Sequence, residues 1–547
     1  MTKRIITITL LTLLTLTNRV KSQDIYQPYR AQWMAKAQQY IPKLKETVKQ
    51  PVSTVTLVKD AGAFQGWAVK KTDSLAIFYK ESFQKRKSVI LDFGEHLTGY
   101  VSFNLKMLTG TADAPSRFKL TFGEVPSEIA TPFDPYPGGL SRAWLQDEVV
   151  TVMYVPSTVR IDRRLAFRYV KIELAGSSQN FDFAIANITC KAVSSVATLP
   201  AALAQTTLPD IAAIDAVGLR TLKECMQTVY EDGPKRDRRL WIGDLYLESL
   251  ANSYSFKNHD LTKRCLYLLA GLSGEKGYLI GTVFETPEPH PQANQYLMDY
   301  AFLYNSALKE YLTETNDQAT ANDLWPVAKK QLDIINTYLL PDGMMNYEKA
   351  NKEWWLFFDW KDGLDKQAAL QGLTIYTLKQ TYELAKMLKR EGELPNVPAM
   401  IKKMSAAAKH NLYDAKSGLV YSGTKRQVSY ASQIWFTLSG VLSVKESRQA
   451  LLNVVKQKDA LYPGAPYLYH YYVQALVNAG LNAEAKATVL GYWGGMVKKG
   501  ADTFWEVYDP NNEYLSPYNF FPVNSYCHAW SCTPVYFIRK YPQVFQQ

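Results

Sequence analysis

The chain has 547 residues, 47% of them apolar and 21% charged, which excludes a disordered or collagen-like protein and supplies apolar material for two cores. Its 62 Lys plus Arg against 51 Asp plus Glu give a formal +11, which falls to +7 without Lys3, Arg4, Arg19 and Lys21 of a leading segment expected to be removed. A charge of that size, with no long run of one sign, does not point to nucleic acid; it fits a mildly basic surface that can meet acidic polymers.

Lys3 and Arg4 precede the apolar run Ile5 to Leu16, too short for a bilayer span, and Val20-Lys21-Ser22 puts small residues at the third and first positions before a cut at Gln23. Residues 1–22 read as a signal peptide, and the mature protein is expected to be secreted or periplasmic. No cysteine precedes Cys190, so a lipoprotein is not expected, nor is a membrane span, since no later apolar run is long enough. Cys190, Cys225, Cys265, Cys527 and Cys532 are too few for a disulfide framework and are expected to be mostly buried thiols. Cys527-His528 and Cys532 lack a second paired set of ligands, so no metal site is expected.

Residues 23–49 are polar and helix-compatible, an N-terminal extension expected to pack on the domain that follows. From 50 to 195 the period is two: Val101, Phe103 and Leu105 alternate with Ser102 and Asn104, Phe118, Leu120 and Phe122 with Lys119 and Thr121, and Val170, Ile172 and Leu174 with Lys171 and Glu173. Such segments, broken by clusters such as Asp134-Pro135-Tyr136-Pro137-Gly138-Gly139, predict an antiparallel β-sandwich. Residues 196–208, poor in charge, predict a linker. From 209 to 547 the period is helical, with about twelve helix-length segments, the first carrying Ile214, Gly218, Thr221, Leu222, Cys225 and Val229 on one stripe. An open solenoid would give the same count, but no fixed repeat is present, which favours paired helices closed into an (α/α)6 barrel. The fold class is therefore all-β followed by all-α.

No HExxH, GxSxG, P-loop or GxGxxG motif occurs. Carboxylates and aromatics instead gather at four junctions between loops and helices. Glu231 to Asp244 (EDGPKRDRRLWIGD) interleaves Asp232, Asp237 and Asp244 with four cations and Trp241; a charged loop capping a helix is the competing reading. Asp299 interrupts an apolar helical run in Tyr296 to Tyr300, as a capping or buried hydrogen-bonded aspartate also would. Trp354 to Gly363 (WWLFFDWKDG) holds three tryptophans with Asp359 and Asp362. Rings beside carboxylates suit sugars, whose C–H faces stack while their hydroxyls bond to acids, though an aromatic core cluster would look alike. Gly500 to Asp509 pairs Trp505 with Glu506, and Asn524 to Trp530 (NSYCHAW) follows.

These residues carry a resemblance. DGPKRDRRLWIGD (Asp232 to Asp244) resembles the DCPQR(D/E)…GWxGD signature of the α-L-rhamnosidases of glycoside hydrolase family 78, six-hairpin glycosidases. YWGGMVKKGADTFWEVYD (Tyr492 to Asp509), FDW (Phe358 to Trp360) and MDY (Met298 to Tyr300) resemble that family's W…M…GATTxWE, GDW and WGD segments. In the first domain LDFGEHLTGYVSF (Leu91 to Phe103), KLTFGEV (Lys119 to Val125) and FRYVKIEL (Phe167 to Leu174) do the same. The resemblance implies an inverting hydrolase with Asp237 as general acid and Glu506 as general base. It further implies Asp232, Arg236, Asp244 and Trp505 among the sugar-binding residues, Trp241 and Trp360 as the aromatic wall, and Asp299, Asp359 and His528 as further contacts. No metal or organic cofactor is required for that chemistry. The sequence departs from the family in having Asp237 for its usual Glu, one methylene shorter, which sets the proton about 1.5 Å back. Gly233, Lys235 and Leu240 stand for the family's Cys, Gln and Gly. The end at Gln547 leads to the expectation that the family's C-terminal β-domain is absent.

The expectation is thus an exported glycoside hydrolase that removes terminal α-L-rhamnosyl residues from polysaccharide or oligosaccharide. Lys235, Arg236, Arg238 and Arg239 favour an acidic glycan partner, with a uronic acid beside the cleaved sugar. Two alternatives remain open at this point: the same fold acting on another glycoside, and a catalytically weak carbohydrate-binding protein. The oligomeric state is not legible.

Overall fold

A computed structural model describes residues 24–547; the segment read as a signal peptide lies outside the described residues. The first domain is built from antiparallel strands β1 (Lys45–Lys49), β2 (Ser53–Lys59), β3 (Trp67–Lys71), β4 (Ser88–Gly110), β5 (Ser116–Gly123), β6 (Asp147–Val152), β7 (Ser157–Arg160), β8 (Leu165–Gly176) and β9 (Phe181–Ser194). The 23-residue β4 belongs to both layers. Its first half pairs with β2 and β8, and β8 continues to β5 and β6; its second half pairs with β9 and β7. The switch falls at Gly99, where a Cβ would meet the Lys191 carbonyl oxygen at 2.2 Å, so only glycine lets β9 cross so closely. The alternating residues Phe103, Leu105, Phe118, Leu120 and Ile172 are buried between the layers, and the Phe118 ring meets those of Phe103 and Phe183 edge-on at 5.7 and 5.9 Å.

The second domain alternates inner and outer helices. Ile242–Ser253, Met298–Thr315, Gln367–Met387, Tyr430–Leu438 and Pro466–Asn478 follow one another in contact, Pro466–Asn478 meets Pro534–Lys540 where Tyr536 donates to Gln474 at 3.1 Å, and that last helix returns to the first. That closed ring distinguishes a toroid from a solenoid. Inner helices are buried nearly all round: every residue from Ile242 to Asn252 is inside. Outer helices are amphipathic; Val397–Leu412 buries only Val397, Met404, Ala407 and Ala408.

The N-terminal extension departs from expectation. Its helix, Gln27–Gln39, lies on the barrel rather than on the sandwich: Trp33 is fully buried, Tyr26 donates to the Pro326 carbonyl at 3.0 Å and Arg30 to that of Gly271 at 2.8 Å. Only β1 joins the sheet, beside β9. The helix has a narrow apolar stripe, Trp33 and Ala37, that fits a groove between helices, whereas Lys45 to Val48 expose every side chain and suit a sheet edge.

The domains meet through buried polar contacts. Lys235 of the barrel lies between Glu124 (2.9 Å) and Glu128 (2.8 Å) of the sandwich, Glu124 also bonds His96 at 3.0 Å, and Phe64 stacks on Trp505 at 3.9 Å. The five cysteines are all buried free thiols.

Candidate active site

One end of the ring of inner helices holds a pocket lined by Asp232, Arg236, Asp237, Trp241, Asp244, Tyr300, Trp355, Phe357, Trp360, Glu506, Tyr518, His528 and Trp530. Its acidic side is a loop wound around a carboxylate. Asp232 accepts the N–H groups of Asp237 (3.0 Å) and Arg239 (3.4 Å), so the side chain of Asp237 is turned into the pocket. Gly233 is required at the start of this turn, since a Cβ would lie 2.5 Å from both the Arg236 carbonyl oxygen and Ser525 Oγ. The Cys that the family resemblance places there would not fit this loop.

Two guanidinium groups flank Asp237. Arg239 Nη2 donates to Oδ2 at 2.5 Å, while Arg236 Nη1 lies 3.8 Å from Oδ1. Arg236 also donates through Nη2 to Glu506 Oε2 and through Nε to the Val523 carbonyl. Glu506 further accepts from Tyr518 Oη at 2.5 Å and from the Ser525 N–H at 3.1 Å. The two carboxyl groups thus face the pocket from either side of one guanidinium, without touching each other.

Behind them stand two more acids. Burial, with Asp237 beside Asp232 and Asp232 beside Asp244, pushes both carboxyls well above the usual range. His528 Nε2 is 3.5 Å from Asp244 Oδ1, and burial lowers its imidazole to about 4, so it is neutral at neutral pH. Asp244 Oδ1, both nitrogens of His528 and Trp360 Nε1 are buried with no hydrogen-bond partner in the protein. Buried polar atoms are rarely left so; four in the wall of one pocket await the hydroxyls of a ligand.

Of the residues singled out from sequence, the pocket brings together Asp232, Arg236, Asp237, Trp241, Asp244, Trp360, Glu506 and His528. Asp299, Asp359 and Trp505 lie behind it. Asp299 accepts the Phe357 N–H at 3.0 Å and Asp359 the Gly464 N–H at 2.5 Å, each pinning a loop of the wall, and burial raises both to about 7. Trp505 is spent on Phe64 at the domain junction. The expected cluster of cations also disperses: Lys235 is buried between Glu124 and Glu128, and Arg238 turns back onto the Lys235 carbonyl at 3.0 Å.

Sequence reasoning missed Tyr300, Trp355, Phe357, Tyr518 and Trp530 as lining residues. Four of them sit within motifs already picked out, Tyr300, Phe357 and Trp530 one or two positions from a chosen residue and Trp355 four positions from Asp359. Tyr518 has no local signal; it reaches Glu506 because the chain after Asp509 folds back over the pocket.

A closed helical toroid with two loop acids and an aromatic wall converging on one pocket is the arrangement of a glycoside hydrolase. Residues 51–192 match the glycosyl hydrolase family 78 alpha-rhamnosidase N-terminal domain, and residues 201–541 the bacterial alpha-L-rhamnosidase six-hairpin glycosidase domain. A rhamnosidase from Klebsiella oxytoca with rhamnose bound is 40% identical, superposes with a TM-score of 0.90, and the match covers 94% of this chain and 99% of that one. A family 78 rhamnosidase of Bacillus sp. GL1 is 19% identical (TM-score 0.68; 82% of this chain, 46% of that one). A Streptomyces avermitilis α-L-rhamnosidase complexed with L-rhamnose is 14% identical (TM-score 0.64; 91% and 44%). No curated protein matches the sequence. The chain belongs to the α-L-rhamnosidases of glycoside hydrolase family 78.

Proposed function

We propose that the protein hydrolyses terminal α-L-rhamnosidic bonds with inversion, Asp237 protonating the leaving oxygen and Glu506 activating water. The observation that carries this reading is the pair of carboxyls across Arg236, set in a pocket whose remaining polar atoms lack partners. Inversion needs the two groups roughly 6.5–9.5 Å apart so that a water fits on the far face of the sugar; the insertion of a guanidinium between them supports that spacing. Arg236, Tyr518 and the Ser525 N–H fix Glu506 in one orientation, leaving one lone pair of Oε1 to accept a proton from water. Asp232 and Asp244, together with neutral His528, meet sugar hydroxyls as donors and acceptors. Trp241, Trp360 and Phe357 offer faces to the methyl group and C–H bonds of a deoxyhexose. Rhamnose as the cleaved sugar is supported by the ligand of the Klebsiella oxytoca relative.

Export is supported by the leading apolar run behind Lys3 and Arg4. An acidic sugar next to the cleaved one is supported by the net positive charge and by Arg239, the loop cation that flanks Asp237 on the side away from Glu506. Rhamnose release from p-nitrophenyl α-L-rhamnoside and from rhamnose-capped oligosaccharides, lost in Asp237→Asn, is the expected result. A folded protein that releases no rhamnose from any of them overturns the reading.

A further inference from the structure

We infer that Arg239 reads the group on the leaving side of the scissile bond, and that the group it reads is a carboxylate, bound in exchange for Asp237. The inference rests on the rhamnosidase reading above, because it takes Asp237 as the acid. An acid that protonates a leaving oxygen lies against the sugar that departs with that oxygen, so a side chain bonded to Asp237 on the face away from Glu506 borders the departing sugar. Arg236 approaches Oδ1 and is tied to Glu506; Arg239 approaches Oδ2 from the other side.

The guanidinium of Arg239 is held as a binding group rather than as a structural one. Its carbon lies over the rings of Phe284 (4.6 Å) and Trp241 (5.1 Å), its Nη1 donates to Gln292 Oε1 at 2.7 Å, and its Nε is buried without a partner. Both of its protein partners are thus a neutral amide and the acid itself. With two of its five N–H donors on protein acceptors and the rings of Phe284 and Trp241 against it, the planar guanidinium is suited to a bidentate carboxylate. Trp355, 42% exposed at the pocket rim and edge-on to Trp241 at 6.4 Å, adds a surface on which the same sugar can stack.

The exchange has a catalytic consequence. While Arg239 donates to Oδ2, that oxygen is not free to carry the proton that the leaving oxygen needs. A uronate that draws Arg239 onto itself frees Oδ2 at the moment its own glycosidic oxygen arrives. An acidic neighbour therefore raises kcat as well as lowering KM, whereas a cation that only attracted the substrate would change KM alone.

Two disaccharides test this, rhamnosyl-glucuronate and its carboxyl-reduced counterpart rhamnosyl-glucose, compared by kcat/KM in the full-length enzyme. The wild type is expected to favour the uronide by roughly 10- to 100-fold, with part of the ratio in kcat. Arg239→Gln is expected to bring the ratio within about threefold of one. Gln292→Glu, which leaves Arg239 in place but supplies it with a carboxylate from the protein, is expected to do the same, and stands as a second route if Arg239→Gln does not fold. A wild-type ratio near one, or a ratio retained in both variants, overturns the inference while leaving the rhamnosidase reading intact. Silence on both substrates defeats that reading and the inference with it.

Discussion

Two buried charge clusters share the loop from Asp232 to Arg239, and they differ in how completely their atoms are used. At the domain junction Lys235 is bonded to Glu124 and Glu128; Glu124 also takes the Tyr526 N–H at 2.6 Å, and Glu128 those of Glu124 at 2.6 Å and Val125 at 3.1 Å. Two residues on, the pocket holds Asp244, His528 and Trp360 with atoms that nothing in the protein satisfies. Saturated charges join the sandwich to the barrel; unpartnered polar atoms line the pocket. The same loop thus anchors the first domain and presents Asp237 to the pocket, which ties the β-sandwich firmly to the pocket wall.

That contrast predicts effects of different kind and size. In the pocket, Asp237→Asn and Glu506→Gln should each lower kcat on a rhamnosyl disaccharide by about 10²- to 10⁴-fold, with little change in melting temperature for Asp237→Asn. At the junction, Lys235→Met should behave in the opposite way. It strands Glu124 and Glu128 and should cost about 3–5 kcal/mol of stability by denaturant titration. An unchanged midpoint there would mean that the cluster does not hold the domains.

Asp299 and Asp359, which pin the wall from behind, should appear in the pH dependence of stability. Their folded values near 7 lie above the ordinary carboxylate value, so the folded protein holds protons that the unfolded chain has released. Stability from these groups is full below about pH 4 and is lost as pH rises through about 7. Asp299→Asn keeps the acceptor for the Phe357 N–H and should flatten that fall by up to about 1.4 kcal/mol per pH unit; an unaltered slope contradicts the assignment. The smallest effect is expected at Asp244→Asn. It should raise KM roughly tenfold while leaving stability equal or higher at pH 7, since a buried acid beside Asp232 is removed.

Much of this was legible in the sequence, for a physical reason. Period-two runs such as Val101 to Leu105 and helical-period stripes such as that from Ile214 to Val229 report burial directly, so sandwich and barrel could both be read. Asp232, Asp237, Asp244 and Glu506 stood out because acids set among cations and aromatics are hard to explain as surface. What could not be read was direction. Nothing local tells that Lys235 points to the sandwich while Arg236 points to Glu506, or that Asp299 faces the Phe357 backbone while Asp244 faces the pocket, because each depends on chain segments more than fifty residues away. Trp33 likewise found its groove on the barrel, across hundreds of residues from its neighbours in sequence.

The most direct test is to follow the hydrolysis of an α-L-rhamnosyl disaccharide by proton NMR from the first minutes. The account predicts that β-L-rhamnose forms first and then mutarotates, and that this signal disappears in both Asp237→Asn and Glu506→Gln. First-formed α-L-rhamnose, or release that persists in the two variants, would contradict it.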